Sequence, residues 1–201
     1  MPPERPTAGL RERKKLATWQ TIRSAANELF DRDGFDAVGI DQIVAAANVS
    51  RSTFFNYFPT KEAVVFDVAP ATVERWREIL AARPAEEPLW EALQAVLLEY
   101  VGTFADYMVR VHRLKISSPA LMASSRDHSD RFWGELGAWA ARREPTAEPL
   151  SMALTLATVQ TVFNTAFAHW EPDAGIERCL ELLRRGFAQA GAGFAAPGRT
   201  P

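Results

Sequence analysis

The chain has 201 residues, 47% of them hydrophobic and 24% charged, with a formal net charge of −2. That length holds one well-cored domain or a small domain joined to a larger one, and the composition is ordinary for a globular protein. A near-neutral balance excludes bulk attraction to nucleic acid but leaves room for a local basic patch. One cysteine, Cys179, excludes an intrachain disulfide framework and fits a reducing compartment. No apolar run is read as approaching the about 18–20 residues of a membrane span. The start, MPPERPTAGL, lacks the apolar core of a signal peptide. A cytoplasmic protein with no membrane partner is the expectation.

In chain order, helical spacing dominates, and Val, Ile and Thr do not alternate with polar residues over a strand's length. The spacing predicts a first helix over 11–33, with Trp19, Ile22, Ala26 and Leu29 on one face. Gly34 is expected to end it in the left-handed region, with Phe35 packing back. A short helix follows over 40–47, its inner face Ile40, Ile43, Val44 and Ala47. Asn48, which tolerates positive φ, makes the next turn. Ser50 is a good N-cap for a third helix over 51–57, which Pro59 closes. Thr60 caps a fourth helix running toward Ala81, kinked by Pro70 near Val68–Ala69. A linker over 82–88 leads to helices over 89–107, 109–117 and 119–143. After a second linker, 144–149, come helices over 150–170 and to Ala190, joined by a short turn at 171–173. That makes about nine helices, between a disordered leader (1–10) and a disordered tail (191–201).

The second and third helices and their tight turn match a helix-turn-helix. A plain bundle corner would leave an unremarkable exposed face. Here that face carries Arg51, Ser52, Thr53 and Asn56, short or forked hydrogen-bonding groups suited to base edges and phosphates. The basic cluster RERKK (11–15) reads either as an arm that reaches DNA or as a solvated leader, and Asp31, Asp33, Asp36 and Asp41 offset it.

The stretch AANELFDRDGFDAVGIDQIVAAANVSRSTFFNYFPTKEAV, within the block Leu16 to Phe66, resembles the DNA-binding domain of TetR-family transcriptional regulators. Ala26/Leu29/Phe30, Gly34-Phe35, Val49-Ser50, Thr53, Tyr57-Phe58 and Lys61-Glu62 carry the resemblance. It implies that Ser50, Thr53, Tyr57 and Lys61 hold phosphates while Arg51, Ser52 and Asn56 read bases. Three positions depart from the family pattern: Phe55 replaces a phosphate-binding tyrosine, Gly39 a capping threonine and Asn48 a turn glycine.

The resemblance further implies an all-α protein. A three-helix helix-turn-helix domain (11–60) would precede a larger helical ligand-binding and dimerisation domain (61–190) whose last two helices meet a second copy. Val159, Phe163, Ile176, Leu180, Leu183 and Phe187 are the expected interface residues. The run LSMALTLATVQTVFNTAFAHW is apolar or small on nearly all sides, so it needs cover on more than one face. Its Gln160, Thr161, Asn164 and Thr165 serve either a dimer seam or a ligand. Phe104, Tyr107, Met108, Trp133, Phe163 and Asn164 are the candidate lining of a pocket for a small hydrophobic or aromatic effector.

No cofactor, metal site or catalytic group is expected. His112, His128 and His169 have no metal-ligand spacing, and neither a glycine-rich phosphate loop nor a G-x-S-x-G elbow is present. The expected function is a ligand-responsive repressor that binds a palindromic double-stranded DNA operator as a homodimer. The rivals are a dimeric ligand-binding protein that has lost operator binding and an enzyme or carrier on a helical bundle.

Overall fold

The structure is a computed structural model that describes residues 9–193, apart from the side chains of 126–129. The leader and tail expected at the ends therefore lie outside the described residues except for 9–10 and 191–193, and His128 is among the undescribed side chains. The described residues form ten α-helices and no strand: α1 (Leu10–Asp33), α2 (Ile40–Ala46), α3 (Arg51–Tyr57), α4 (Lys61–Phe66), α5 (Pro70–Ala81), α6 (Leu89–Thr103), α7 (Ala105–Ser117), α8 (Pro119–Arg143), α9 (Pro149–Ala168) and α10 (Ile176–Gly191). They divide into two compact units. The first runs to Asp67 and includes Leu114–Ser125; the second holds Val68–Arg113 and the chain from Arg126 onward.

In the first unit, α1 buries Ile22, Ala26, Leu29 and Phe30, while Trp19 from the expected stripe is half-buried. Around this face lie the buried Phe35, Val38, Ile43, Phe54, Phe58 and Val64. Gly34 ends α1 with its N–H on the Phe30 carbonyl at 3.0 Å. Its φ of 82° and ψ of 154° are not those of the expected left-handed helical residue. They fall in an extended, positive-φ region that is essentially glycine-only. This sharper turn brings the Phe35 ring to 5.1 Å from that of Phe30. Asn48 takes the αL turn with φ 52°.

The fourth helix is broken, not kinked. It stops at Phe66, Asp67 and Ala69 are extended, and Pro70 opens α5 at its first position. Proline forbids the helical conformation to Ala69 and cannot donate to the preceding turn, while its fixed φ suits a helix start. This split accounts for ten helices instead of about nine. The break between α6 and α7 falls at Phe104, earlier than expected.

The core of the second unit joins Trp76, Ile79, Leu80, Leu93, Val96, Leu97, Val101, Leu136, Val159, Leu183 and Phe187. Gly186 sets the approach of α10 to α9, because a Cβ there would lie 2.9 Å from Val162 Cγ1. Glu148 caps α9, its carboxylate accepting from the N–H groups of Leu150 and Ser151 at 3.0 and 2.7 Å. The 82–88 segment is fastened, since Arg143 donates to the carbonyls of Pro84 and Glu87. Burial pushes the Cys179 thiol up to about 12, so it stays protonated and unreactive in the folded chain.

Replacing Gly34 by alanine puts a Cβ on a backbone that L-residues avoid. The expected loss is about 1–3 kcal/mol, read from the urea midpoint at unchanged slope.

Candidate nucleic-acid interface

Helix α3 has seven residues, too few to be stable alone in water, so its orientation comes from what surrounds it. Ser50 Oγ accepts from the Thr53 N–H at 3.0 Å and caps the helix. Phe54 and Phe58 are fully buried, with the Trp19 ring 5.8 Å from that of Phe58. With these rings inward, Arg51, Ser52, Phe55 and Asn56 are exposed on the opposite face, and Thr53 and Tyr57 are half-buried at its edges.

The structure brings together six of the seven expected DNA-contacting residues along this helix. Ser50, Ser52 and Thr53 share a hydroxyl cluster at its start, with Ser50 Oγ 2.9 Å from Ser52 Oγ and 2.8 Å from Thr53 Oγ1. Arg51 donates to Asp41 of α2 across 2.6 Å, with its side chain 58% exposed and that of Asp41 77% exposed. A pair this open to water contributes only about 0–1 kcal/mol. It aims the guanidinium without locking it. Asp41 was legible in the sequence only as an offsetting charge.

Lys61 is the exception. Its ammonium donates to the carbonyls of Phe35 and Val38 at 2.8 and 2.9 Å and lies 4.0 Å from the Phe35 ring centroid. Two of its three N–H bonds are thus spent on the α1–α2 turn, which leaves one for the expected phosphate contact. The physical reason is tertiary: two carbonyls freed by that turn, 26 and 23 positions back in the chain, converge on the start of α4. Gly39 is not left as a bare cap either, because Gln42 Oε1 accepts from its N–H at 2.6 Å, one half of a capping box. RERKK lies on the first turns of α1 with all five side chains exposed.

The first unit also receives the α7–α8 corner. Ser118 is buried, its hydroxyl donating to Asp36 at 2.6 Å and accepting from the Leu121 N–H at 3.1 Å. Nothing local in the sequence signals this, since the partners are 82 positions apart.

In the second unit, aromatic rings form a continuous series. Phe104 meets Tyr100 at 5.2 Å, Tyr100 stacks on Phe132 at 4.7 Å, and Phe132 meets Trp133 at 5.0 Å. Trp133 then meets Phe163 at 5.4 Å, and Phe163 stacks on Phe167 at 4.5 Å. Three expected pocket residues, Phe104, Trp133 and Phe163, therefore share one apolar cluster. Met108 is buried and Tyr107 half-buried, whereas Asn164 is exposed, one helical step of about 100° round α9 from Phe163. Trp76, absent from the expected lining, packs on Tyr100 and Phe132, and its buried indole N–H has no hydrogen-bond partner among the described residues. His112 donates its Nε2 proton to the Trp170 carbonyl at 3.0 Å and stacks on that ring, a structural role.

The expected interface stripe turns out to face inward. Val159, Leu183 and Phe187 are fully buried and Leu180 is 6% exposed, all within the chain's own core. Ile176 and Phe163 are half-buried against it. Helical spacing identifies the buried face without saying which chain buries it.

A short capped helix that presents arginine, hydroxyls and an amide from a three-helix core defines a helix-turn-helix DNA-binding protein. Residues 22–68 match the family of bacterial regulatory proteins described as the tetR family. The chain belongs to the TetR family of transcriptional regulators and is not an enzyme. It is 28% identical over 187 residues to a Mycobacterium tuberculosis protein named as the mycofactocin biosynthesis transcriptional regulator MftR, covering 90% of this chain and 93% of that one. It is 30% identical over 145 residues to the transcriptional regulator TcmR of Streptomyces glaucescens, covering 68% of this chain and 64% of the relative. A crystal structure from Syntrophomonas wolfei, assigned to TetR-family regulators, shares the fold with a TM-score of 0.64 at 16% identity, covering 92% of this chain and all of the other.

Lys61→Met keeps the stem and removes the two charge-assisted bonds. Unfolding in urea is expected to show a loss of about 1–3 kcal/mol. A lysine whose only task was to touch phosphate would leave stability unchanged.

Proposed function

We propose that this protein is a cytoplasmic, ligand-responsive repressor that binds a near-palindromic operator as a homodimer. A small hydrophobic or aromatic effector in the second unit releases it. The observation that carries the reading is the polar face of α3, presented outward by a fully buried Phe54 and Phe58. On this reading Arg51, Ser52 and Asn56 face base edges, with Arg51 able to bond guanine through two N–H groups. Ser50, Thr53 and Tyr57 flank them toward phosphate. Lys61 holds the turn before α2 and keeps one N–H for phosphate.

The dimer reading rests on α9. This helix of 20 residues, with mean hydropathy 1.2, is long and apolar enough to cross a membrane, which corrects the expectation that no such run exists. Of its residues, only Val159, Val162 and Ala166 are buried. Leu150 and Leu154 are 64% and 59% exposed, beside exposed Ala157, Gln160, Thr161 and Asn164. Small and apolar residues interleaved with amides suit a helix of a second copy better than lipid, where each amide would need a partner. This outer face replaces the inward stripe as the proposed seam. A two-fold dimer would set two α3 helices about 34–36 Å apart in successive major grooves. The apolar ring series supports a hydrophobic effector. Its signal has three covalent crossings between the units to travel, at 67–68, 113–114 and 125–126. The effector shifts the balance only by its differential affinity for the two states.

A footprint of the full chain over its own upstream DNA should show a protected, near-palindromic site. Arg51→Ala combined with Asn56→Ala should abolish sequence preference while leaving weak, salt-sensitive binding. Unaltered selective binding by that double variant would overturn the base-reader assignment. Leu154→Arg with Ala157→Arg should convert the dimer to monomer in analytical ultracentrifugation. A dimer that survives both changes would exclude this face of α9 as the seam.

A further inference from the structure

The residue that departs most from the family pattern is Phe55, where a tyrosine hydroxyl would bind phosphate. Its ring is 44% exposed, the one large apolar side chain on the exposed face of α3. Single exposed apolar residues are common and need no explanation by themselves. Three further observations give this one a partner.

The ring is held. It meets the fully buried Phe54 edge-on, at 5.5 Å and 89°. Its position is defined by the core and not by solvent. The ring also stands beside the arginine, with the Arg51 guanidinium carbon 5.8 Å from its centroid. Residues 51 and 55 are one turn apart, so both project from one strip of the helix. Finally, the ring has no hydroxyl to offer a phosphate, and an apolar surface gains nothing against an anion.

The major groove presents hydrogen-bond donors, acceptors and one apolar group, the 5-methyl of thymine. We infer that Phe55 is a specificity-determining residue that reads a thymine methyl next to the base read by Arg51. The inference rests on the DNA-binding reading above. Base pairs rise about 3.4 Å along the duplex. A separation of 5.8 Å between the two groups therefore reaches a neighbouring or next-neighbouring pair. The half-site should contain a guanine with a thymine, on either strand, within two base pairs of it. The missing hydroxyl gives up a phosphate bond and leaves a methyl sensor in its place.

The test uses the full chain and duplexes selected by it from a random library. The wild type should enrich guanine with a nearby thymine. Replacing that thymine by deoxyuridine, which removes only the methyl, should weaken binding about fourfold, the equivalent of one buried methyl group. Phe55→Ser should lose both the thymine enrichment and the deoxyuridine effect while keeping the guanine preference. Phe55→Leu, which keeps an apolar side chain without a hydroxyl, should retain the deoxyuridine effect and guards against a folding artefact in the serine variant. A wild type indifferent to deoxyuridine at every thymine of the site would overturn the inference while leaving DNA binding intact. So would a serine variant that still responds. If the wild type binds no selected duplex, the DNA-binding reading itself falls, and this inference with it.

Discussion

A helix of seven residues cannot hold itself together in water, and everything the first unit does depends on how that limit is met in α3. Two rings meet it. Phe54 and Phe58 are fully buried, and full burial of a side chain of this size stabilises by about 1.5–3 kcal/mol. The Ser50 cap adds about 1 kcal/mol more. These terms fix the rotation of α3 about its axis, and the rotation decides which side chains face outward. The outward face is thus a by-product of core packing. The polar residues need only occupy the positions that the two phenylalanines leave over.

The same logic extends one layer back. The core beneath α3 keeps its shape only if the α1–α2 turn does, and that turn has carbonyls with no helical partner. Lys61 supplies donors to two of them from the start of α4. A cation in that place joins three elements at one point, and motion of α4 would be felt first at Phe35 and Val38. Ser118, bonded to Asp36 in the same turn, adds a second tie from the α7–α8 corner. Residues 35–38 therefore tie together both stretches of chain that make up the first unit, the one ending at Asp67 and Leu114–Ser125.

Much of this was legible in the sequence, and the legible part is the local part. Ser50 and Thr60 as caps, Asn48 as a positive-φ turn and Pro59 as a stop each act within a few residues. Side-chain chemistry and steric limits suffice to place them, and α3 and α8 fall on their expected boundaries. What escaped was set by distant partners. That Lys61 meets two carbonyls depends on a turn 23 to 26 positions away. Pro70 was legible as a disturbance but not as a clean break, because a kink and a new start share the same proline signal. Along α10 the stripe of Leu180, Leu183 and Phe187 showed its apolar face truly, yet not whose core it enters. On α9 the reverse holds: the polar residues once read as ambiguous mark the open side.

The Arg51–Asp41 pair shows how such a surface stays both ordered and available. An arginine free in solution must lose side-chain entropy, up to about 2 kcal/mol, when it docks on a base. Asp41 restrains it beforehand, at 2.6 Å. Because both side chains are largely exposed, water and salt keep the attraction weak, and exchanging it for a guanine edge costs little. A buried partner would have held the guanidinium far more tightly and opposed that exchange.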